Sequence, residues 1–191
     1  PYVGRGGWKL ESFLEKHPLP IKEISILDLG ASTGGFTDCL LQKGASTATC
    51  VDVGRAQLHY KLRTDPRVIN FEKTNLRDLT KDKLVNFPFS IIVMDLSFIS
   101  LTKVLVRAWS FLSIGGTLIA LVKPQFECEK KEADRGRGII KDEHIHQRVL
   151  KEISCFAEQK LENSDLIAQE EAIPKGTDGN TEFFLAWRKK A

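Results

Sequence analysis

Four charged residues stand where a side chain could take part in chemistry. Asp95 and Lys123 each end an apolar, strand-like run. Lys9 and Glu182 lie near the two ends of the chain. A charge that finishes an apolar strand is unusual unless it is paired or functional, so acid–base work is the first hypothesis for Asp95 and Lys123. For Lys9 and Glu182 a solvated surface position is an open alternative, because Lys and Glu are mostly exposed.

A second group of small and acidic residues could bind a cofactor. The loop from Asp28 to Phe36 reads DLGASTGGF and follows an apolar run. Its glycines allow a tight turn and close approach of a ligand to the backbone. Asp52 ends the next apolar run, where a carboxylate can accept hydrogen bonds from ribose hydroxyls. The pattern predicts a site for a cofactor that contains a ribose.

The spacing of the glycines bears on which cofactor this is. Dinucleotide-binding loops read GxGxxG, and the second glycine lets the backbone reach a pyrophosphate. Here the loop reads GASTGG, with Ser32 at that position. We therefore favour a cofactor without phosphates, S-adenosylmethionine, over a nicotinamide cofactor, with Asp28 near its ammonium group. An ordinary strand-to-helix turn is the alternative, since such motifs have a real false-positive rate.

Alternating strand-like and helix-like segments would position these residues. Apolar runs predict seven strands, at 24–29, 47–53, 67–71, 89–95, 117–123, 165–172 and 182–187. Amphipathic spacing predicts five helices, at 36–43, 55–63, 78–85, 101–112 and 143–161, and the polar stretch 127–141 is expected to be a loop. This alternation predicts an α/β fold with a mostly parallel sheet and helices on both faces. Ligands of such sheets bind beyond the carboxyl ends of the strands.

The composition suits one compact domain. The chain has 191 residues, 42% of them apolar, and a net charge of +3, which permits nucleic-acid binding without demanding it. No apolar run approaches the roughly 18 residues that cross a bilayer, so no stable membrane association is expected. The four cysteines are scattered, which predicts reduced thiols in a cytoplasmic protein.

No metal site is predicted. A zinc site needs clustered ligands, and the cysteines provide none. His144 and His146 are two positions apart at the start of a predicted helix, so their side chains do not share a face.

Seven segments, in order and spread over essentially the whole chain, carry a resemblance to a known family: residues 2–10, 28–39, 51–54, 72–75, 95–100, 122–127 and 179–183. They resemble the TlyA family of hemolysin A-like ribosomal RNA 2′-O-methyltransferases, and more distantly the FtsJ/RrmJ type of RNA methyltransferase. The resemblance implies a Rossmann-like class I S-adenosylmethionine-dependent methyltransferase with a seven-stranded sheet. Its domain would cover residues 21–191, after a helix and linker over residues 1–20 that carries Lys9. The small N-terminal RNA-binding domain usual in the family is expected to be absent from this chain.

The resemblance also implies roles for individual residues. The implied catalytic set is Lys9, Asp95, Lys123 and Glu182. The implied cofactor site consists of Asp28, Gly30, Ser32, Gly34, Gly35, Phe36, Asp52, Val53, Thr74, Asn75 and Asp95. Within that site the glycine loop would line the methionine end, Asp52 would take the ribose, and Thr74 and Asn75 would lie near adenine. Lys123 is the candidate to accept the hydroxyl proton or stabilise the charge, and the chemistry needs no metal.

The implied partner is ribosomal RNA within ribosomal subunits. Basic residues that could contact its phosphates are Arg5, Lys61, Arg63, Arg67, Lys130, Lys131, Arg135, Arg137 and Lys141. Trp8 and Phe126 could stack on a base, although a core role is equally open. A membrane-active hemolysin and a non-catalytic RNA-binding module are the alternative functions, and the sequence does not fix the oligomeric state.

Overall fold

Seven strands form one sheet in the computed structural model, which describes all of residues 1–191. In chain order they are β1 (Ser25–Leu29), β2 (Thr47–Val51), β3 (Val68–Phe71), β4 (Phe89–Met94), β5 (Leu112–Val122), β6 (Ser164–Glu171) and β7 (Phe183–Lys189). Across the sheet the order is β3-β2-β1-β4-β5-β7-β6. The first five strands are parallel, and β7 runs antiparallel to both of its neighbours. The predicted mostly parallel seven-stranded sheet is confirmed.

Helices cover both faces of the sheet, as predicted. They are α1 (Arg5–Lys16), α2 (Gly35–Gln42), α3 (Tyr60–Arg63), α4 (Leu105–Ser110), α5 (Pro124–Glu127), α6 (Lys130–Arg135) and α7 (Glu143–Lys160). Successive strand residues point to opposite faces. In β4, Ile91 and Val93 therefore join the core under α1 and α2, while Ile92 and Met94 join the core under α4 and α7. None of the helices is both long enough and apolar enough to span a bilayer.

Three local predictions were wrong. The helix predicted over 55–63 forms only as α3, because the chain after β2 turns with Ala56 in the left-handed region at φ +54°. The helix predicted over 78–85 is replaced by two short 3₁₀ turns, Leu76–Asp78 and Lys81–Lys83. The stretch predicted as a loop over 127–141 contains α6, which begins with a reciprocal capping box between Glu129 and Glu132.

The boundary between α4 and β5 also differs from the prediction. The helix predicted over 101–112 consists of a 3₁₀ turn, Leu101–Lys103, followed by α4. β5 begins at Leu112 rather than at residue 117, and its pairing with β4 shifts register between Phe89 and Ile91. The glycines at 115 and 116 lie inside the strand at this irregularity.

α1 is packed tightly against the start of α2. A Cβ atom built on Gly35 would lie 2.8 Å from the backbone nitrogen of Gly7, so glycine at position 35 allows the two helices to come this close. Leu10, Phe13 and Leu14 of α1 are buried in the core on that face. This packing places the inner side of α1, and with it Lys9, beside the carboxyl ends of the strands.

Candidate active site

A polar cavity lies beyond the carboxyl ends of β1, β4 and β5. Its volume is about 240 Å³. It is lined by Arg5, Gly6, Lys9, Asp28, Gly30, Ala31, Ser32, Thr33, Gly35, Phe36, Asp95, Lys123, Thr177 and Glu182. All four residues of the implied catalytic set are therefore in one cavity, although they come from α1, two strand ends and the segment before β7.

A second, more apolar cavity adjoins it and has a volume of about 440 Å³. The two cavities share Gly30, Ser32 and Asp95. The rest of the second lining consists of Leu29, Val51, Asp52, Val53, Gln57, Thr74, Asn75, Leu76, Leu96, Ser97, Phe98, Ile99 and Val104. Together the cavities offer an apolar compartment beside a polar one, with Asp95 at the boundary.

Asp95 and Lys123 form an ion pair at this boundary. Lys123 Nζ lies 2.5 Å from Asp95 Oδ1. The contact does not have hydrogen-bond geometry, so Asp95 Oδ1 is left without a hydrogen-bond partner. Lys123 Nζ donates its hydrogen bond to Ser97 Oγ at 3.3 Å. The backbone nitrogen of Asp95 donates to Leu29 O at 3.0 Å. This hydrogen bond continues the pairing of β4 with β1 and fixes the backbone from which the Asp95 side chain extends.

Gly30 lets β1 end directly beside Asp95. It has φ +81°, and a Cβ at this position would lie 2.2 Å from the carbonyl oxygen of Asp95. Any other residue would push the chain away from Asp95, because the obstacle is backbone rather than a flexible side chain. The glycine is therefore required by the geometry of the site.

Lys9 and Glu182 form a second ion pair, and it is buried. Lys9 Nζ lies 2.9 Å from Glu182 Oε1, and the two side chains are only 10% and 5% exposed. The other oxygen, Glu182 Oε2, accepts a hydrogen bond from Gln125 Nε2 at 3.3 Å. The alternative that Lys9 and Glu182 are solvated surface charges is thus wrong.

Asp28 is a buried carboxylate in the wall of the polar cavity. Its Oδ2 accepts a hydrogen bond from Thr37 Oγ1 at 2.7 Å, whereas its Oδ1 is buried without a partner. Burial raises the pKa of Asp28 to about 7; the hydrogen bond from Thr37 opposes this rise, and the nearby charge of Asp95 adds to it. An unpaired buried acceptor of this kind suits a cationic ligand group such as an ammonium.

Asp52 holds the other end of the glycine loop. Its two carboxylate oxygens accept the backbone N–H groups of Ser32 at 2.7 Å and Gly54 at 2.8 Å. A carboxylate has about four acceptor sites, so each oxygen can still accept a ribose hydroxyl. Thr74 and Asn75 line the same cavity, as does the exposed Val53.

Gly34 is the one member of the implied cofactor site that lines neither cavity. A Cβ at Gly34 would lie 2.2 Å from Leu62 Cδ1 and 2.7 Å from Leu58 Cδ1. Gly34 also has φ +97°, so this position favours glycine for its backbone conformation as well as for its contact with α3 and the segment before it. Phe36 reaches the cavity wall from the core, where its ring lies 6.0 Å from that of Phe184.

Several site residues were missed by the sequence analysis. Ser97 binds Lys123, and Gln125 binds Glu182. Phe98 is 88% exposed, and its ring lies 4.8 Å from that of Phe126. A signal was available for each, because all three stand two or three residues after a charged strand end. Trp8 is 45% exposed and packs edge-on against Tyr2.

The predicted phosphate-binding residues fall into two groups. Lys61, Arg67 and Lys131 form ion pairs with Asp38, Asp65 and Glu129, and Arg5 donates to the carbonyl oxygen of Lys175. The residues with neither kind of contact are Arg63, Lys130, Arg135, Arg137 and Lys141. The side chain of His146 is buried and lies 2.8 Å from Ile140 O, so it serves the core.

Known proteins resemble this chain over nearly all of its length. The provisionally named rRNA methyltransferase YqxC of Bacillus subtilis is 41% identical over 192 residues, which is 96% of this chain and 64% of that protein. The 16S/23S rRNA (cytidine-2′-O)-methyltransferase TlyA of Mycobacterium tuberculosis is 39% identical over 184 residues, or 96% of this chain and 67% of that protein. The chain thus spans about two thirds of the length of these relatives.

A solved structure and a family model agree with these relatives. The structure of a provisionally named hemolysin from Streptococcus thermophilus has a TM-score of 0.93 and 39% identity, and the match covers 99% of this chain and 67% of that one. Residues 2–189 match the model of the FtsJ-like methyltransferases. The resemblance to TlyA and to FtsJ-type enzymes is confirmed, and the chain belongs to the FtsJ-like methyltransferase family.

Proposed function

We propose that the protein transfers a methyl group from S-adenosylmethionine to a ribose 2′-hydroxyl of ribosomal RNA. The observation that carries the proposal is the meeting of two ion pairs, Lys123–Asp95 and Lys9–Glu182, in one cavity that adjoins a nucleoside-sized apolar one. The substrate class is supported by the relative in Mycobacterium tuberculosis, which is named an rRNA (cytidine-2′-O)-methyltransferase.

The residues present fit S-adenosylmethionine. Asp28 offers a buried, unpaired carboxylate oxygen for the ammonium group, and Asp52 offers acceptor sites for the ribose hydroxyls. The apolar cavity around Leu76 and Ile99 would hold the adenine ring, with Thr74 and Asn75 at its side. When bound, this cofactor supplies an electrophilic methyl group on a sulfonium, whose bonding electron pair stays on sulfur after transfer.

Lys123 is the proposed proton acceptor. A ribose hydroxyl is a weak nucleophile at neutral pH and must lose its proton as its oxygen attacks. As a neutral amine, Lys123 Nζ would accept that proton, whereas as an ammonium it would stabilise the charge that develops on the oxygen. Asp95, 2.5 Å away, orients the amine and favours the ammonium that results.

The Lys9–Glu182 pair is proposed to hold the target ribose. Because the pair is buried, Lys9 is kept at one place by Glu182 rather than free to search for a partner. A fixed ammonium can donate hydrogen bonds to the hydroxyl oxygen or a neighbouring phosphate oxygen and so align the nucleophile. We propose that residues 1–20 form a helix and linker that positions Lys9, and that residues 21–191 form the methyltransferase domain.

The proposed partner is ribosomal RNA in ribosomal subunits, which implies a cytoplasmic location. The unpaired basic residues of the segment after Lys123, among them Lys130, Arg135 and Arg137, are proposed to contact phosphates. The exposed Phe98 and the half-buried Phe126 lie beside Lys123, whose Nζ is 6.0 Å from the ring centre of Phe126. This position suits a base that is turned out of its stack.

The test is methyl transfer to isolated ribosomal subunits with labelled S-adenosylmethionine. We expect the label in nucleosides methylated at the 2′ oxygen, which can be recognised because the adjacent phosphodiester resists alkaline cleavage. Label that is found only on bases, or only on protein, would contradict the proposal. Lysis of erythrocytes by the protein in the absence of S-adenosylmethionine would favour the hemolysin alternative.

A further inference from the structure

Gln125 connects the two ion pairs of the site. It follows Lys123 by two residues in the short helix α5. Its side-chain Nε2 donates a hydrogen bond to Glu182 Oε2 at 3.3 Å, while Lys9 holds Glu182 Oε1 at 2.9 Å. The segment that carries Lys123 is therefore joined through one amide to the carboxylate that holds Lys9.

Glu182 has these two partners and no other side-chain hydrogen bond. A carboxylate held at a single oxygen can rotate about its last bond, whereas one held at both oxygens has a fixed plane. An ionised carboxylate only accepts hydrogen bonds, so the amide nitrogen of Gln125 faces it. Gln125 thus fixes the orientation of Glu182 and, through it, the position of Lys9 Nζ.

Stability alone does not explain a glutamine here. Its amide oxygen, Oε1, is buried and has no hydrogen-bond partner. A buried acceptor without a donor costs stability, and an apolar side chain of similar size would avoid that cost. The remaining contribution of the side chain is its hydrogen bond to Glu182.

We infer that Gln125 is a positioning residue for methyl transfer, which holds the Glu182–Lys9 pair in register with Lys123. The inference rests on the proposed function. Gln125 lines neither cavity, so its effect should fall on the rate of the bound complex and not on the affinity for S-adenosylmethionine.

The experiment compares Gln125→Met and Gln125→Glu with the wild-type chain. Methionine keeps the size of the side chain and removes the donor, and we expect kcat to fall about 10- to 100-fold, the range for a lost hydrogen bond to a charged group. The Kd for S-adenosylmethionine should stay within about twofold of the wild-type value. The thermal midpoint of the variant should stay above the assay temperature. The matched controls are Gln159→Met and Gln159→Glu, on the exposed face of α7, which should leave kcat unchanged.

Gln125→Glu supplies a readout that a merely structural role would not move. A second carboxylate beside Glu182 adds negative charge to the cavity, and this charge favours protonated lysines. The other charged residues of the cavity are Arg5, Lys9, Asp28, Asp95 and Lys123. The rise of kcat with pH should move to higher pH in Gln125→Glu, and it should not move in Gln125→Met or in Gln159→Glu.

Three results would overturn the inference: wild-type kcat in Gln125→Met, loss of S-adenosylmethionine affinity in step with loss of rate, or an unmoved pH profile in Gln125→Glu. Failure of the proposed function looks different, because the wild-type chain itself would then place no methyl group on a ribose.

Discussion

Replacing Asp28 with asparagine should stabilise the protein at alkaline pH. Burial raises the pKa of Asp28 from 3.8 to about 7, so the folded protein binds this proton more strongly than the unfolded chain does. Stability contributed by the bound proton is present at low pH and is lost as the pH rises from about 4 to about 7. A shift of this size corresponds to a penalty on the order of 4 kcal/mol above pH 7.

The expected difference between Asp28→Asn and wild type depends on pH in a defined way. Asparagine keeps the shape of the protonated carboxyl and carries no charge at any pH. Between pH 5 and pH 8 the wild type loses about 2–3 kcal/mol relative to the variant, because most of the folded-state titration lies in that window. Urea unfolding of both proteins at the two pH values measures the difference directly.

The control is Asp165→Asn, on the exposed face of β6, which should change stability by less than about 0.5 kcal/mol at either pH. An Asp28→Asn variant that is less stable than wild type at pH 8, or a difference in stability that does not grow with pH, would refute the raised pKa of this buried carboxylate.

Three further predictions follow from the same geometry. S-adenosylmethionine should bind about 10-fold more weakly at pH 6 than at pH 8, because its ammonium group requires a charged Asp28, whose pKa is about 7. Calorimetry in buffers of different ionisation enthalpy should show the release of a proton on binding, and a pH-independent affinity would contradict this prediction. Asp52→Ala should weaken cofactor binding about 10-fold or more in the same assay, since the carboxylate also holds the backbone of Ser32, and binding at wild-type strength would exclude its role. Gly30→Ala should destabilise the fold by about 2 kcal/mol or more in thermal unfolding and abolish methyl transfer, because the new Cβ would lie 2.2 Å from Asp95 O. A variant that is stable and active would contradict that contact.

The strand ends were the most predictable part of the site. Asp95 and Lys123 each terminate a continuous apolar run, and the carboxyl ends of parallel strands meet at one edge, so their proximity could be inferred from pattern alone. The Lys9–Glu182 pair could not, because 173 residues separate its members and neither ends an apolar run. Only the family resemblance indicated it.

The errors concern short segments whose structure is decided by tertiary contacts. The segment over 78–85 has the composition of a helix, yet only Leu79 and Leu84 are buried, and two residues five apart give no helical stripe. The assignment of Gly34 to the cofactor site came from the family resemblance and stays a prediction; the contacts of this glycine with leucines more than twenty positions away could not be read from the sequence. Gln125 follows a charged strand end, but its role could not be predicted, since it depends on a partner far away in the chain.

The proposed mechanism has Lys123 act on the hydroxyl proton while the rest of the site binds S-adenosylmethionine. It is tested most directly by measuring methyl transfer to ribosomal RNA and cofactor affinity on the same preparation of Lys123→Ala. We expect transfer to fall by at least about 100-fold, the lower end of what a general base contributes, with the Kd for S-adenosylmethionine near that of wild type. Full transfer by Lys123→Ala would contradict it.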